Sequence, residues 1–184
     1  MRDRLLPLAV PTGEAVLGIL PDLEAALDGG PAVLPYTADG TPPPLPPGVD
    51  PDRPDLAPGT AVVVGTSGST GDPKLAMLTA EALRASATAT HEVLGGSGRW
   101  LLSMPGHHVA GIQVLVRSLV AGKAPVVMDL ADGFTAAAFA EATARLHTGR
   151  TASRFSPEAG NPRFAPEDFP CEPPVSRMKR KTGG

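Results

Sequence analysis

The sequence predicts an α/β fold, a mostly parallel sheet made of βαβ units, followed by an irregular tail. Three observations carry this. Short β-branched or apolar runs recur at Ala61-Val62-Val63-Val64, Arg99-Trp100-Leu101-Leu102-Ser103-Met104 and Pro125-Val126-Val127-Met128. Between them lie stretches of helical period, about 80–94 and 109–121, each followed by glycine. Strands that alternate with helices pair in parallel through crossovers.

Residues 1–40 read as a small opening unit. Pro21 sits where a first helical turn accepts it, because the missing N–H has no partner there anyway. Leu23, Ala26 and Leu27 share a face, and Gly29-Gly30 stops the helix. Ala32-Val33-Leu34 is expected as an edge strand, since Pro35 cannot donate to a central ladder. Residues 41–59 are a Pro-rich linker. Pro42-Pro43-Pro44-Leu45-Pro46-Pro47 favours extended polyproline backbone, either as a stiff spacer or as a ligand for a proline-recognition domain.

Residues 60–146 carry the information. The run at 61–64 is a buried strand that ends at Gly65. A loop, 66–74, leaves it and is expected to lead into a helix capped by Thr79 and stopped by Gly95. Leu83, Ala87 and Leu94 mark that helix's buried face, with His91 between the last two. A strand over 99–104 leads to the loop Pro105-Gly106-His107-His108. The next helix buries Ile112, Leu115, Val116 and Leu119 and ends at Gly122. After a third strand at 125–128, Thr135 caps a last helix through Leu146. Ligands of such sheets bind at the carboxyl ends of strands. Both polar loops, 66–74 and 105–108, leave such ends, so one shared site is expected.

Residues 147–184 lack either period and carry six prolines and a basic end, Arg177-Met178-Lys179-Arg180-Lys181. The readings are a disordered tail, a short nucleic-acid arm, or a departure from the parent sequence such as a frameshift or truncation.

Composition bounds the function classes. A 42% hydrophobic chain of 184 residues with net charge −3 describes a soluble globular protein with no nucleic-acid partner. One cysteine, Cys171, makes no internal disulfide, which points to a reducing cytoplasm. Pro7, Pro11, Thr12 and Glu14 interrupt the N-terminal apolar residues, so they make a poor signal peptide. No run of eighteen apolar residues is present, so no membrane span is expected. Four histidines and one distant cysteine show no metal-ligand spacing.

The chemistry concentrates in Thr66-Ser67-Gly68-Ser69-Thr70-Gly71-Asp72-Pro73-Lys74. Glycines let a backbone turn its N–H groups towards an anion, hydroxyls add donors, and lysine adds a mobile charge. The Walker pattern fails at Pro73 and Leu75, the dinucleotide pattern fails on glycine spacing, and Ser69 stands where a nucleophile elbow needs glycine.

Thr-Ser-Gly-Ser-Thr-Gly-x-Pro-Lys resembles the phosphate-loop signature of the adenylate-forming enzymes, which include acyl-CoA synthetases and acid–CoA ligases. A second stretch, Leu102-Ser103-Met104-Pro105-Gly106-His107-His108-Val109-Ala110-Gly111, resembles their second motif, with Pro105, His108 and Gly111 on its fixed positions. Met77-Leu78-Thr79-Ala80 and the run from His107 to Ser118 are similar to o-succinylbenzoate–CoA ligases of high-GC bacteria, which act in menaquinone synthesis. The resemblance covers residues 1 to about 146 and implies the N-terminal subdomain of such an enzyme.

It also implies a two-step reaction on ATP, Mg and a small-molecule carboxylic acid, through an acyl-adenylate to a CoA thioester. Thr66, Ser67, Ser69, Thr70 and Lys74, with the backbone of Gly68 and Gly71, would hold the phosphates. His108 would order the acyl site. Adjacent histidines on a strand point to opposite faces, so at most one of His107 and His108 is expected to face it.

The chain departs from the family at Leu75, where glycine is usual. It has no Tyr-Gly-x-Thr-Glu motif, its only tyrosine being Tyr36, and neither Lys179 nor Lys181 matches the catalytic-lysine motif. The expectation is an N-terminal piece of an acid–CoA ligase, inactive by itself. Two other classes stay open: a non-catalytic nucleotide-binding or regulatory half-domain, and a phosphotransferase with a variant phosphate loop.

Overall fold

The computed structural model of the chain describes residues 4–42, 45, 55–66, 74–131 and 133–147. Most of the Pro-rich linker and the expected tail lie outside the described residues, as do Ser67, Gly68, Ser69, Thr70 and Gly71.

The first strand, β1 (Leu5–Val10), has no counterpart in the sequence reading. It buries Leu5, Leu8 and Val10. It is the edge of a four-stranded sheet ordered β1-β2-β3-β4, and an edge is where Pro7 is tolerated. A 3-10 turn, Gly13–Ile19, leads into α1 (Leu20–Leu27). Pro21 sits in the first turn of α1, which buries Leu20, Leu23, Ala26 and Leu27 as one stripe. Gly29, at φ 90°, ends it.

Strand β2 (Ala32–Thr37) is internal, which corrects the expected edge position. It runs parallel to β1 along its whole length and parallel to β3 (Thr60–Thr66) at Val33↔Val62. That second pairing lies two residues short of Pro35, so the proline's missing donor leaves it intact.

The chain then reverses. Strand β4 (Lys74–Thr79) pairs antiparallel with β3 from Thr60↔Thr79 to Thr66↔Lys74. Loop 66–74 therefore does not lead straight into a helix, as the sequence suggested; it closes a hairpin. Thr79 serves both elements. It ends β4, and its Oγ1 accepts from the Ala82 N–H at 3.2 Å to cap α2 (Ala80–Val93). Helix α2 buries Leu83, Ala87 and His91. Leu94, expected on that face, is 66% exposed, because it follows the last helical residue, just before Gly95 at φ 82°.

Two short parallel strands, β5 (Leu101–Leu102) and β6 (Val126–Val127), form a separate sheet instead of extending the first. Between them runs α3 (Val109–Val120), which buries Ile112, Leu115 and Val116. Helix α4 (Ala136–His147) follows, its Ala138 N–H donating to Thr135 Oγ1 at 3.1 Å. Parallel pairing dominates both sheets, as the alternation predicts.

Alternating side chains split the core. Val10, Leu8, Val33, Val62 and Val64 pack with α1, α2 and α3 on one face of the large sheet. Leu5, Ala32, Leu34 and Val63 form the other face, where Leu45, Leu56 and Leu75 pack. Two residues of the expected linker region, Leu45 and Leu56, thus serve as cover for the sheet.

Leu23 is fully buried within the helix-side core. Leu23→Ala is expected to lower unfolding stability by about 2–5 kcal/mol, and Thr79→Ala by about 1 kcal/mol. Urea titrations followed by far-UV circular dichroism check both.

Candidate functional site

The carboxyl ends of β1, β2 and β3 form one rim. Thr37 and Thr66 each lie four residues beyond the Val33↔Val62 pair, so β2 and β3 end level. Val10 ends β1 opposite Thr37. The turn Pro105-Gly106-His107 sits against this rim: a Cβ on Gly106 would lie 3.1 Å from Val10 Cγ1 and 3.0 Å from Val16 Cγ2. β1 and β3 are two strand spacings apart, roughly 10 Å. The loop that leaves β3 and the turn that leaves β5 therefore start on one side of the molecule, though their strands belong to different sheets.

The ends of the first candidate loop are in place. Thr66 closes β3 and Lys74 opens β4, and they are direct antiparallel partners. Such partners have Cα atoms about 5 Å apart. The seven residues between them, 67–73, lie outside the described residues.

The second candidate stretch is built on close packing. A Cβ at Gly111 would fall 2.2 Å from the Pro105 carbonyl oxygen and 2.8 Å from Gly106 Cα. Only glycine lets the turn lie on the first turn of α3. This gives the proline–histidine–glycine spacing a physical reason. His108 is extended, at φ −81° and ψ 153°, and its carbonyl accepts from the Ile112 N–H at 2.9 Å as the helix begins.

The two histidines do not face opposite ways. They stand in a turn, not a strand, and their rings lie 4.3 Å apart at 42°. His107 is half-buried and lines a cavity of about 130 Å³ with Val10, Gly13, Val16, Met104 and Leu130. His108, the residue on the motif position, is exposed. Burial holds the His107 pKa below the ordinary value, neighbouring His108 adds to this, and the Asp39 carboxylate opposes it. Asp39 follows β2, and its own pKa is lowered by the hydrogen bond it accepts from Thr37 Oγ1. The cavity was not legible in the sequence because two of its walls, Val10 and Val16, come from a strand and turn that lacked a clear period. Among the described residues no three His, Cys, Asp or Glu side chains converge as a metal site, so no protein ligand is assigned to magnesium.

Gly111→Ala is expected to push the turn off α3, costing about 1–3 kcal/mol and shifting the imidazole C2–H signals of His107 and His108 in proton NMR. Unchanged signals would mean that the turn does not depend on this packing.

Residues 14–150 match the family model of the AMP-binding enzymes. The chain is 45% identical over 143 residues to a probable 2-succinylbenzoate–CoA ligase of Mycobacterium tuberculosis, covering 78% of this chain and 37% of that relative. It thus spans little more than a third of the relative's length. Among solved structures it is similar to the Bacillus subtilis o-succinylbenzoate CoA synthetase in complex with its acyl-adenylate intermediate, with TM-score 0.55 and 18% identity over 78% of this chain and 47% of that one. The same enzyme in complex with ATP and magnesium gives TM-score 0.53 and 18% identity over 78% and 48%. These structural likenesses show a shared fold, and the family match shows membership: the chain belongs to the AMP-binding enzymes.

Proposed function

We propose that this chain is the phosphate-binding part of an AMP-forming acid–CoA ligase acting on an o-succinylbenzoate-like aromatic acid. One observation carries the reading. The two ends of the 66–74 segment, Thr66 and Lys74, are direct partners at the carboxyl end of β3, on the side where the His107–His108 turn also sits. The 45% identity to a probable 2-succinylbenzoate–CoA ligase supports the substrate class, and the ATP, magnesium and acyl-adenylate complexes of the Bacillus enzyme support the reactants.

In the first step an oxygen of the acid's carboxylate attacks the α-phosphorus of ATP. The bond to the bridging oxygen of the β-phosphate breaks, and pyrophosphate leaves. In the second step the CoA sulfur attacks the acyl carbon, the thiol proton is lost, and AMP leaves. The protein's part in the first step is to position the reactants and balance charge. Thr66, Ser67, Ser69 and Thr70 are assigned hydrogen bonds to the β- and γ-phosphates, with Gly68 and Gly71 offering backbone N–H groups. Lys74 is assigned the countercharge. His108 is assigned to the acid's carboxylate, at the amino end of α3, where the helix dipole also favours negative charge. Magnesium is assigned to the nucleotide phosphates, and CoA to the second step. The compartment that supplies ATP and CoA is the cytoplasm. No described helix is long and apolar enough to cross a membrane.

A second reading is a phosphate-binding half-domain that does not turn over. Isothermal titration and acid-dependent ATP–pyrophosphate exchange separate the two. Under both, Lys74→Ala is expected to weaken ATP binding about tenfold, equivalent to about 1.4 kcal/mol. Tripolyphosphate is expected to bind about as tightly as ATP. Binding without exchange favours the half-domain, exchange favours the ligase, and no saturable phosphate binding removes both.

A further inference from the structure

At the opposite end of α2 from its cap, a buried histidine holds the start of β5. His91 is 6% exposed. Its Nε2 accepts a hydrogen bond from the Trp100 indole N–H at 3.2 Å, and the two rings lie 5.8 Å apart. An accepting Nε2 carries no proton, so this contact requires a neutral imidazole. The Arg117 guanidinium, from α3, lies 5.1 Å from the centre of the Trp100 ring. Trp100 therefore bridges α2 and α3. Its carbonyl accepts from the Val126 N–H at 2.8 Å, the first rung between β5 and β6. Five residues past Trp100 the chain enters the Pro105–His108 turn.

We propose that His91, Trp100 and Arg117 form an acid-sensitive latch that ties the start of β5, and through it the His107–His108 turn, to the α2–α3 pair. This does not depend on the ligase reading. A proton on Nε2 would set two N–H donors against each other and end the hydrogen bond. It would also add a positive charge between two others: Arg117 on α3, and Lys123 after α3, whose Nζ donates to the Ser97 carbonyl at 2.9 Å. Burial first, then Arg117 and Lys123, hold the His91 pKa below the ordinary 6.5. Glu92 is next in sequence, and helical neighbours one residue apart do not face each other. Arg99 precedes Trp100 in the chain. Arg84 is two turns back on α2 and pairs with Asp28, at the end of α1. The sign follows. A folded-state value below the unfolded one makes the neutral form part of the fold, so the latch is fully closed above pH 6.5. It is lost as pH falls from 6.5 through the lower folded value.

Trp100 is the chain's only tryptophan, so its emission reports this contact alone. The test is emission of the full chain from pH 7.5 to 4.5 for the native sequence, His91→Gln and Lys123→Gln. Glutamine keeps an acceptor for the indole and does not titrate. The native chain is expected to show a red shift with a midpoint below 6.5. His91→Gln is expected to lack it, and Lys123→Gln, which removes a cation, to raise the midpoint by a few tenths of a pH unit. The C2–H signals of His107 and His108 should broaden at the same midpoint in the native chain and not in His91→Gln. A flat native emission, or the same red shift in His91→Gln, overturns the proposal. Should His91→Gln fail to fold by circular dichroism, an unmoved midpoint in Lys123→Gln overturns it.

Discussion

The structure depends on one tight contact, the seating of the Pro105–Gly106 turn between the end of the first sheet and the start of α3. On one side are Val10 and Val16; on the other is Gly111, where a methyl group would fall 2.2 Å from the Pro105 carbonyl oxygen. This contact helps set the β5–β6 sheet against the rim where β1, β2 and β3 end. Two short strands of two residues each carry little stability alone. Their position comes from the packing of Leu102 and Val127 into the main core and from this turn. Interiors packed to this density do not deform gradually, so a small intrusion here is felt by both sheets.

The same contact decides which histidine does what. Because the turn is pressed against Val10 and Val16, His107 is drawn into the cavity they wall, and His108 is left at the helix start, open to solvent. The pair thus divides into a desolvated ring and an exposed one only 4.3 Å apart. The charge of His108 bears on His107, and the Asp39 carboxylate opposes that effect.

What was legible in the sequence was local. Thr79, Gly95, Gly122 and Thr135 mark helix ends through groups within a few residues of them, and each stands where its chemistry predicts. What was not legible depends on partners distant in the chain. β1 hid behind Pro7 and Pro11, residues that an edge tolerates. β2 looked like an edge because of Pro35, yet its pairing with β3 stops before that residue. β4 hid because Leu75-Ala76-Met77-Leu78 does not alternate and because a strong helix cap follows at once. The split into two sheets leaves no mark on either strand. For the candidate site, the motif residues could be named from the sequence, but the cavity beside His107 could not, since Val10 belongs to the unseen first strand and Val16 to the turn after it.

The pairing of Thr66 with Lys74 bears on the thermodynamics of ligand capture. A glycine-rich segment that wraps an anion must bring its ends together, and the entropy lost in doing so opposes binding. Here the β3–β4 ladder has already closed that ring during folding. A ligand at the hairpin tip meets a tethered segment, and the favourable interactions it makes appear in its affinity instead of being offset by loop closure. The reversal that the sequence concealed is thus a form of preorganisation, supplied by five backbone pairs between Val62 and Thr66 and their partners on β4.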